Sequence, residues 1–132
     1  MAPKFRPYFL GFKPISSRIS SLKLRVAGGC GYFFSVYAPH NFYPLPERVQ
    51  FFEDLDSYMS KSSGNGPVFL TGDFNSRIGQ RKPGEEDVLG DHCFGREAMP
   101  RVEVPNRDLL MEFCISKAYM VGNTLLMDIR KK

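Results

Sequence analysis

The chain has 132 residues, enough for one domain with a modest core and too few for two. Hydrophobic residues at 42% and charged residues at 24% describe an ordinary globular protein and exclude a disordered one. The formal net charge of +4 is unevenly spread: residues 1–46 carry Lys4, Arg6, Lys13, Arg18, Lys23 and Arg25 and no acid, and every Asp and Glu lies beyond Pro46.

No apolar run approaches the ~20 residues of a membrane span. The leading "MAPKFRPYFLGF" has an apolar patch too short for a signal peptide. Cys30, Cys93 and Cys114 are odd in number and show no CxxC-type spacing, which points to packed, reduced thiols and to a nuclear or cytoplasmic protein. The basic leading segment suits a polyanion-binding face and equally suits solvated cations on an exposed strand.

"RISSLKLRVAGGCGYFFSVYAP" predicts a β-hairpin. Leu22, Leu24 and Val26 alternate with Lys23 and Arg25, Gly28, Gly29 and Gly31 interrupt the run, and "YFFSVY" resumes it. Pro39, Pro44 and Pro46 mark a loop. "PERVQFFEDLDSYMSK" then predicts a helix with Val49, Phe52, Leu55 and Met59 on one face, Pro46 in its first turn and Glu47 at the positive end of its dipole. The apolar run Val68-Phe69-Leu70 reads as a strand. Residues 79–106, polar and rich in Gly and Pro, read as a long loop. Asn106 is placed to cap a second helix, "RDLLMEFCISKA", striped by Leu110, Phe113 and Cys114. "YMVGNTLL" reads as a closing strand. After the hairpin, strands and helices alternate, which argues for α/β layering with each helix covering a sheet face.

The strand in "GPVFLTGDFNSRIG" runs straight into Asp73 and Asn75. Residues i and i+2 of a strand point the same way, so the two would project together from its C-terminal end, with Phe74 turned inward and Gly72 leaving room for a ligand. The carboxylate suits a hard cation or an activated water, and the amide suits a phosphoryl oxygen. Gly, Asp and Asn also favour turns, so a plain turn fits these residues as well.

"GDFN" closing one apolar strand and "SVYAP" closing an earlier one resemble the endonuclease/exonuclease/phosphatase superfamily, the DNase I-like fold. "PISSRISSLKLRV", "FFSVYAPHN", "FFEDLDSYM", "VFLTGDFNSRIG", "NRDLLMEFC" and "VGNTLL" follow the order of one subgroup. They resemble the endonuclease domain of non-LTR retrotransposons and the craniofacial development protein 2-like chains related to it, over residues 11–126. The resemblance implies an α/β fold, a partial DNase I-like two-sheet sandwich flanked by helices, about half of the full domain, as one truncated domain over 1–132. It implies Mg²⁺-assisted in-line cleavage of a DNA phosphodiester. Asp73 would orient or deprotonate the attacking water and bind the metal. Asn75 would hold a phosphate oxygen or that water, and the Tyr37 hydroxyl would bond the scissile phosphate from the same cleft. Lys23 and Arg25 of the basic hairpin would contact the nucleic acid.

The family's metal-binding Glu and its closing Ser-Asp-His have no counterpart in this sequence. Asp91-His92 in "GDHCFG" looks like the closing motif, yet no apolar strand leads into it, so neither His92 nor His40 is assigned a catalytic role. Glu85, Glu86 and Asp87 match no family motif and read as a solvated acidic run. The resemblance therefore implies a retrotransposon-derived endonuclease-like fragment, inactive as an isolated chain. It would leave sheet surface and strand edges uncovered for self-association or a complementing chain. The alternative is a catalytically dead fragment that binds nucleic acid or protein through its basic hairpin.

Overall fold

A computed structural model describes residues 2–62, 66–93, 95 and 102–125. A 3₁₀ turn, Pro3–Tyr8, leads into three strands: β1 (Phe9–Pro14), β2 (Ile19–Val26) and β3 (Gly29–Tyr37). Helix α1 (Leu45–Lys61), strand β4 (Val68–Asp73), helix α2 (Asn106–Lys117) and a 3₁₀ turn, Gly122–Thr124, follow. The architecture is mixed α/β. The strands form one sheet in the order β1-β2-β3-β4, antiparallel except for the parallel pair β3–β4. Two compact units emerge, one from Met1–Pro39 with Glu53–Phe74, the other from His40–Phe52 with Asn75–Lys132. No described helix is long and apolar enough to cross a membrane.

In the first unit the expected hairpin forms, closed by Ala27-Gly28, with Val26 opposite Gly29. Gly28 takes a φ of +82°, which a Cβ would oppose. The hairpin's covered face differs from the one its alternation suggests. Leu22, Leu24 and Val26 are only half-buried, while Ile19, Phe34 and Val36 are buried. Register places Ile19, Phe34 and Val36 on the face that also carries Lys13, Lys23 and Arg25. A strand's own period cannot say which face its neighbours will cover. β1 is an addition that the sequence did not announce. "FLGFKP" lacks alternation and becomes a strand by pairing with β2 through an irregularity between Phe9 and Gly11, with Pro14 at its end, where no ladder donor is required.

Helix α1 is longer at its start than the periodic segment, and residues 45–52 belong to the second unit, 53–61 to the first. Leu55 is fully buried and Met59 nearly so. Burial of a side chain such as Leu55 contributes about 1.5–3 kcal/mol.

The second unit has an apolar part and a polar part. The Phe113 ring lies tilted against Phe52 and stacked on Tyr119, with ring centroids 5.5 and 6.3 Å apart, beside buried Leu110, Met111 and Cys114. Desolvation pushes the Cys114 thiol up to about 11. Helix α2 starts differently from expectation. Pro105 is its N-cap residue and makes no side-chain cap bond, whereas Asn106 lies inside the first turn, 1% exposed. The Asn106 side chain works backwards instead: its Oδ1 accepts from Arg48 Nη1 at 3.1 Å, and its Nδ2 donates to the Asn75 carbonyl at 3.2 Å. Its N–H donates to Asn41 Oδ1 at 2.8 Å. Arg48, buried, also donates to the carbonyls of Tyr43 and Val104.

The long loop is tied down by a neighbouring residue of α2. Arg107 donates to both carboxylate oxygens of Glu85 at 2.7 Å, and to the carbonyls of Ile78 and Gln80 at 2.6 and 2.9 Å. This corrects the reading of Glu85 as solvated, because its side chain is 10% exposed and that of Arg107 is 5% exposed. Glu86 and Asp87 remain exposed. Val88 and Leu89 are buried just beyond. The expected strand at "YMVGNTLL" is instead irregular backbone ending in the 3₁₀ turn, with Leu126 outside the described residues. Its polar groups pair with the loop, Val121 N–H to the Val88 carbonyl and His92 N–H to the Thr124 carbonyl. Those bonds consume the donors and acceptors a strand would offer to a sheet.

The Arg107 bonds hold the Glu85 carboxyl below its usual range, against the opposing effect of its own burial. A depressed folded pKa stabilises above the unfolded value and is lost as pH falls through the folded one. Stability measured by urea titration should thus be level near neutrality and decline below about pH 4.3. In Glu85→Ala the buried guanidinium loses its counter-ion, which should cost about 3–5 kcal/mol at neutral pH and flatten the acid limb.

Candidate functional site

β3 and β4 run parallel and in register, so their C-terminal ends coincide. Tyr37 is the partner of Asp73 across the pair, and the Ala38 N–H donates to the Asp73 carbonyl at 2.8 Å. Adjacent strands are about 4.8 Å apart, so the phenol and the carboxylate start from neighbouring points. Both residues are exposed, Tyr37 at 55%. Ends of parallel strands are where open α/β sheets bind ligands, because the chains leaving them part.

Gly72 has a different role from the one its sequence position suggests. A Cβ there would overlap the Val36 carbonyl oxygen and crowd the Val36 nitrogen, and its φ is +128°. Glycine is required for β4 to approach β3 at all, not to clear space for a ligand.

Arg18 lies within "PISSRISSLKLRV", where the motifs assign it no role. Its carbonyl accepts the Tyr37 N–H at 2.9 Å, its Nη1 donates to the Tyr37 carbonyl at 3.1 Å, and its guanidinium carbon is 5.6 Å from the centre of the Tyr37 ring. The signal for it lies in the hairpin: counting back from Val26 opposite Gly29 brings Arg18 opposite Tyr37. A cation over an aromatic face is attracted by the ring quadrupole. Phenol, carboxylate and guanidinium together offer a hydroxyl, a hydrogen-bond acceptor and a positive charge at one end of the sheet.

The other predicted residues lie differently. β4 ends at Asp73, and Asn75 has a left-handed φ of +47°, so the i, i+2 geometry of an extended strand does not reach it. Asn tolerates that conformation better than most residues. Lys23 and Arg25 alternate onto the sheet face opposite to Tyr37 and sit toward the Ala27-Gly28 turn, at the far end of β3. Lys23 Nζ lies 5.5 Å from the centre of the Tyr32 ring. These cations and Tyr37 cannot touch one phosphate. His92 is half-buried, and Asp91 pairs with Arg81 at 2.9 Å.

Among the described residues no group of three or more His, Cys, Asp and Glu is arranged to hold a metal ion. Asp73 offers one hard oxygen donor, whereas Mg²⁺ takes one or two carboxylates together with waters and phosphates. No family model, curated protein or solved structure matches the chain.

Gly72→Ala tests what holds this site. With a positive φ and the Val36 backbone in the way, it should cost at least about 2 kcal/mol in urea unfolding. Amide exchange at residues 68–73 should accelerate more than in the β2–β3 hairpin.

Proposed function

We propose that the chain is a retrotransposon-derived, DNase I-like endonuclease domain segment, bearing the water-orienting and phosphate-holding part of a phosphodiester-hydrolysing site. The pairing of Tyr37 with Asp73 at the ends of parallel strands supports this reading, together with the resemblance in "SVYAP" and "GDFN". Here the Asp73 carboxylate accepts a hydrogen bond from the attacking water and lines it up with phosphorus. The Tyr37 hydroxyl donates to a non-bridging oxygen, where negative charge develops. Arg18 contributes positive charge on the same side. The sheet would be one layer of a two-sheet sandwich. Magnesium enters through the resemblance alone, with Asp73 as its one inherited ligand. Three free cysteines go with a nuclear or cytoplasmic setting, and DNA is the substrate class.

Hydrolysis also requires a proton for the leaving oxygen and charge neutralisation at the phosphate. Neither His40 nor His92 stands in a motif matching the family's histidine, and the metal-binding Glu has no counterpart in the sequence. Catalytic groups that act as a unit lose activity far out of proportion when one is missing. The 132-residue chain should therefore show no Mg²⁺-dependent nicking of supercoiled plasmid or of an abasic-site duplex above background. Nicking that requires Mg²⁺ and vanishes in Asp73→Ala would overturn the inactivity and leave the site assignment standing.

The clustering of Lys13, Lys23 and Arg25 on one sheet face favours a second reading, in which the chain binds nucleic acid without cutting it. Affinity for duplex DNA should then fall steeply with salt as bound phosphates release counter-ions. Reversing the charge of Lys23 and Arg25 should lower affinity and reduce the salt slope by about one for each phosphate no longer neutralised. Reversing Lys61 should do little. Equal effects at both places would show that the hairpin cations are merely solvated.

A further inference from the structure

The sheet face that carries Tyr37 is unusual along its whole width. Register aligns Phe12 with Leu22, Leu22 with Phe33, and Phe33 with Phe69, so one apolar row crosses all four strands. Phe33 and Phe69 stack with ring centroids 4.9 Å apart and planes 16° from parallel. Phe12 is nevertheless 61% exposed and Phe69 50%. Phe9, opposite Leu24, extends the row along β1 and is 37% exposed. Beside the row runs an uncharged one, Pro14, Ser20, Ser35 and Thr71. Among the strand residues of this face, charge appears at the end where Asp73, with the neighbouring Arg18, flanks Tyr37.

At roughly 200 Å² per aromatic side chain, the exposed parts of Phe9, Phe12 and Phe69 amount to about 300 Å². Half-buried Leu22, Leu24 and Phe33 and the polar row enlarge it toward the ~800 Å² that each partner contributes to a standard interface. A patch of that kind exceeds what scattered surface apolar residues produce.

We propose that this face is a self-association surface, and that its occupant is the same face of a second copy, which supplies in the 132-residue chain the second layer of the proposed sandwich. Charge distribution selects the partner. The strand-borne cations Lys13, Lys23 and Arg25 all lie on the opposite face, so two copies of a chain with a net charge of +4 can meet here without opposing their lysines. An acidic or basic partner finds nothing to pair with across the apolar rows. A flat, uncharged, aromatic surface fits another of the same composition, and sheets stack face to face about 10 Å apart with their side chains interdigitated. A twofold axis makes the contact isologous, Phe12 and Phe69 of each copy meeting the row of the other.

Sedimentation equilibrium of the purified chain over a range of concentrations tests this, with circular dichroism to verify that each variant keeps its strand signal. The expected result is a dimer that dissociates on dilution and whose dissociation constant does not rise with salt, as an apolar contact requires. Phe12→Asp and Phe69→Lys, each at an exposed position, should weaken it at least about tenfold. Lys13→Glu, on the other face, should leave it unchanged. A monomer at every concentration would overturn the proposal, since the face would then serve some other occupant. So would a dimer that survives Phe12→Asp and Phe69→Lys in folded protein, or one that dissociates as salt is raised. Phe12 and Phe69 belong to a row of the sheet apart from the Tyr37–Asp73 pair, so loss of the dimer in those variants and failure of the nuclease reading are separable.

Discussion

Parallel strands cannot be joined by a tight turn. After Tyr37 the chain must leave the sheet, travel back along it and re-enter in the same direction at Val68. Helix α1 lies within that journey, and its return sets β4 against β3 so that both strands finish together. Everything distinctive at the candidate site follows from this. Tyr37 meets Asp73 because their strands are in register, and they are in register because Gly72 lets the Val36 carbonyl occupy the space of a side chain. The antiparallel hairpin alone would still hold Arg18 against Tyr37, but with no carboxylate beside them.

The sheet that results has two dissimilar faces. One carries the buried Ile19, Phe34 and Val36 together with Lys13, Lys23 and Arg25; the strand residues of the other are aromatic and uncharged until its Tyr37 end. Binding a polyanion through the hairpin and holding a phosphate at Tyr37 are consequently separate contacts with separate geometry. Arg18, not Lys23 or Arg25, is the cation positioned to serve the second.

Much of this was written locally in the sequence. Periodicity located α1 and α2, an apolar run located β4, and glycines interrupting a strand-like run located the hairpin, because each depends on residues a few positions apart. What escaped has long-range causes. Glu85 looks solvated beside Glu86 and Asp87, and only the folded position of Arg107 takes it inside. Asn106 looks like a cap, yet the carbonyl of Asn75 and the guanidinium of Arg48 claim its side chain. β1 exists only as a partner of β2. At the site, motif residues named Tyr37, Asp73 and Asn75, and register explains the first two. The left-handed residue at Asn75 agrees with the turn that Gly, Asp and Asn favour, and not with an extended i, i+2 pair, because β4 ends at Asp73. Arg18 was legible in principle, by counting along the hairpin.

The burial of Cys114 has a consequence for experiment. Thiolate is the reactive form, and a thiol raised to about 11 and enclosed beside Phe113 is almost wholly protonated at neutral pH and out of reach of a reagent. Cys30 and Cys93, half-exposed, lack that protection. Slow alkylation at Cys114, once the other two have reacted, would then clock the rare openings of helix α2. The helix thus contains its own probe of local unfolding, with no label added.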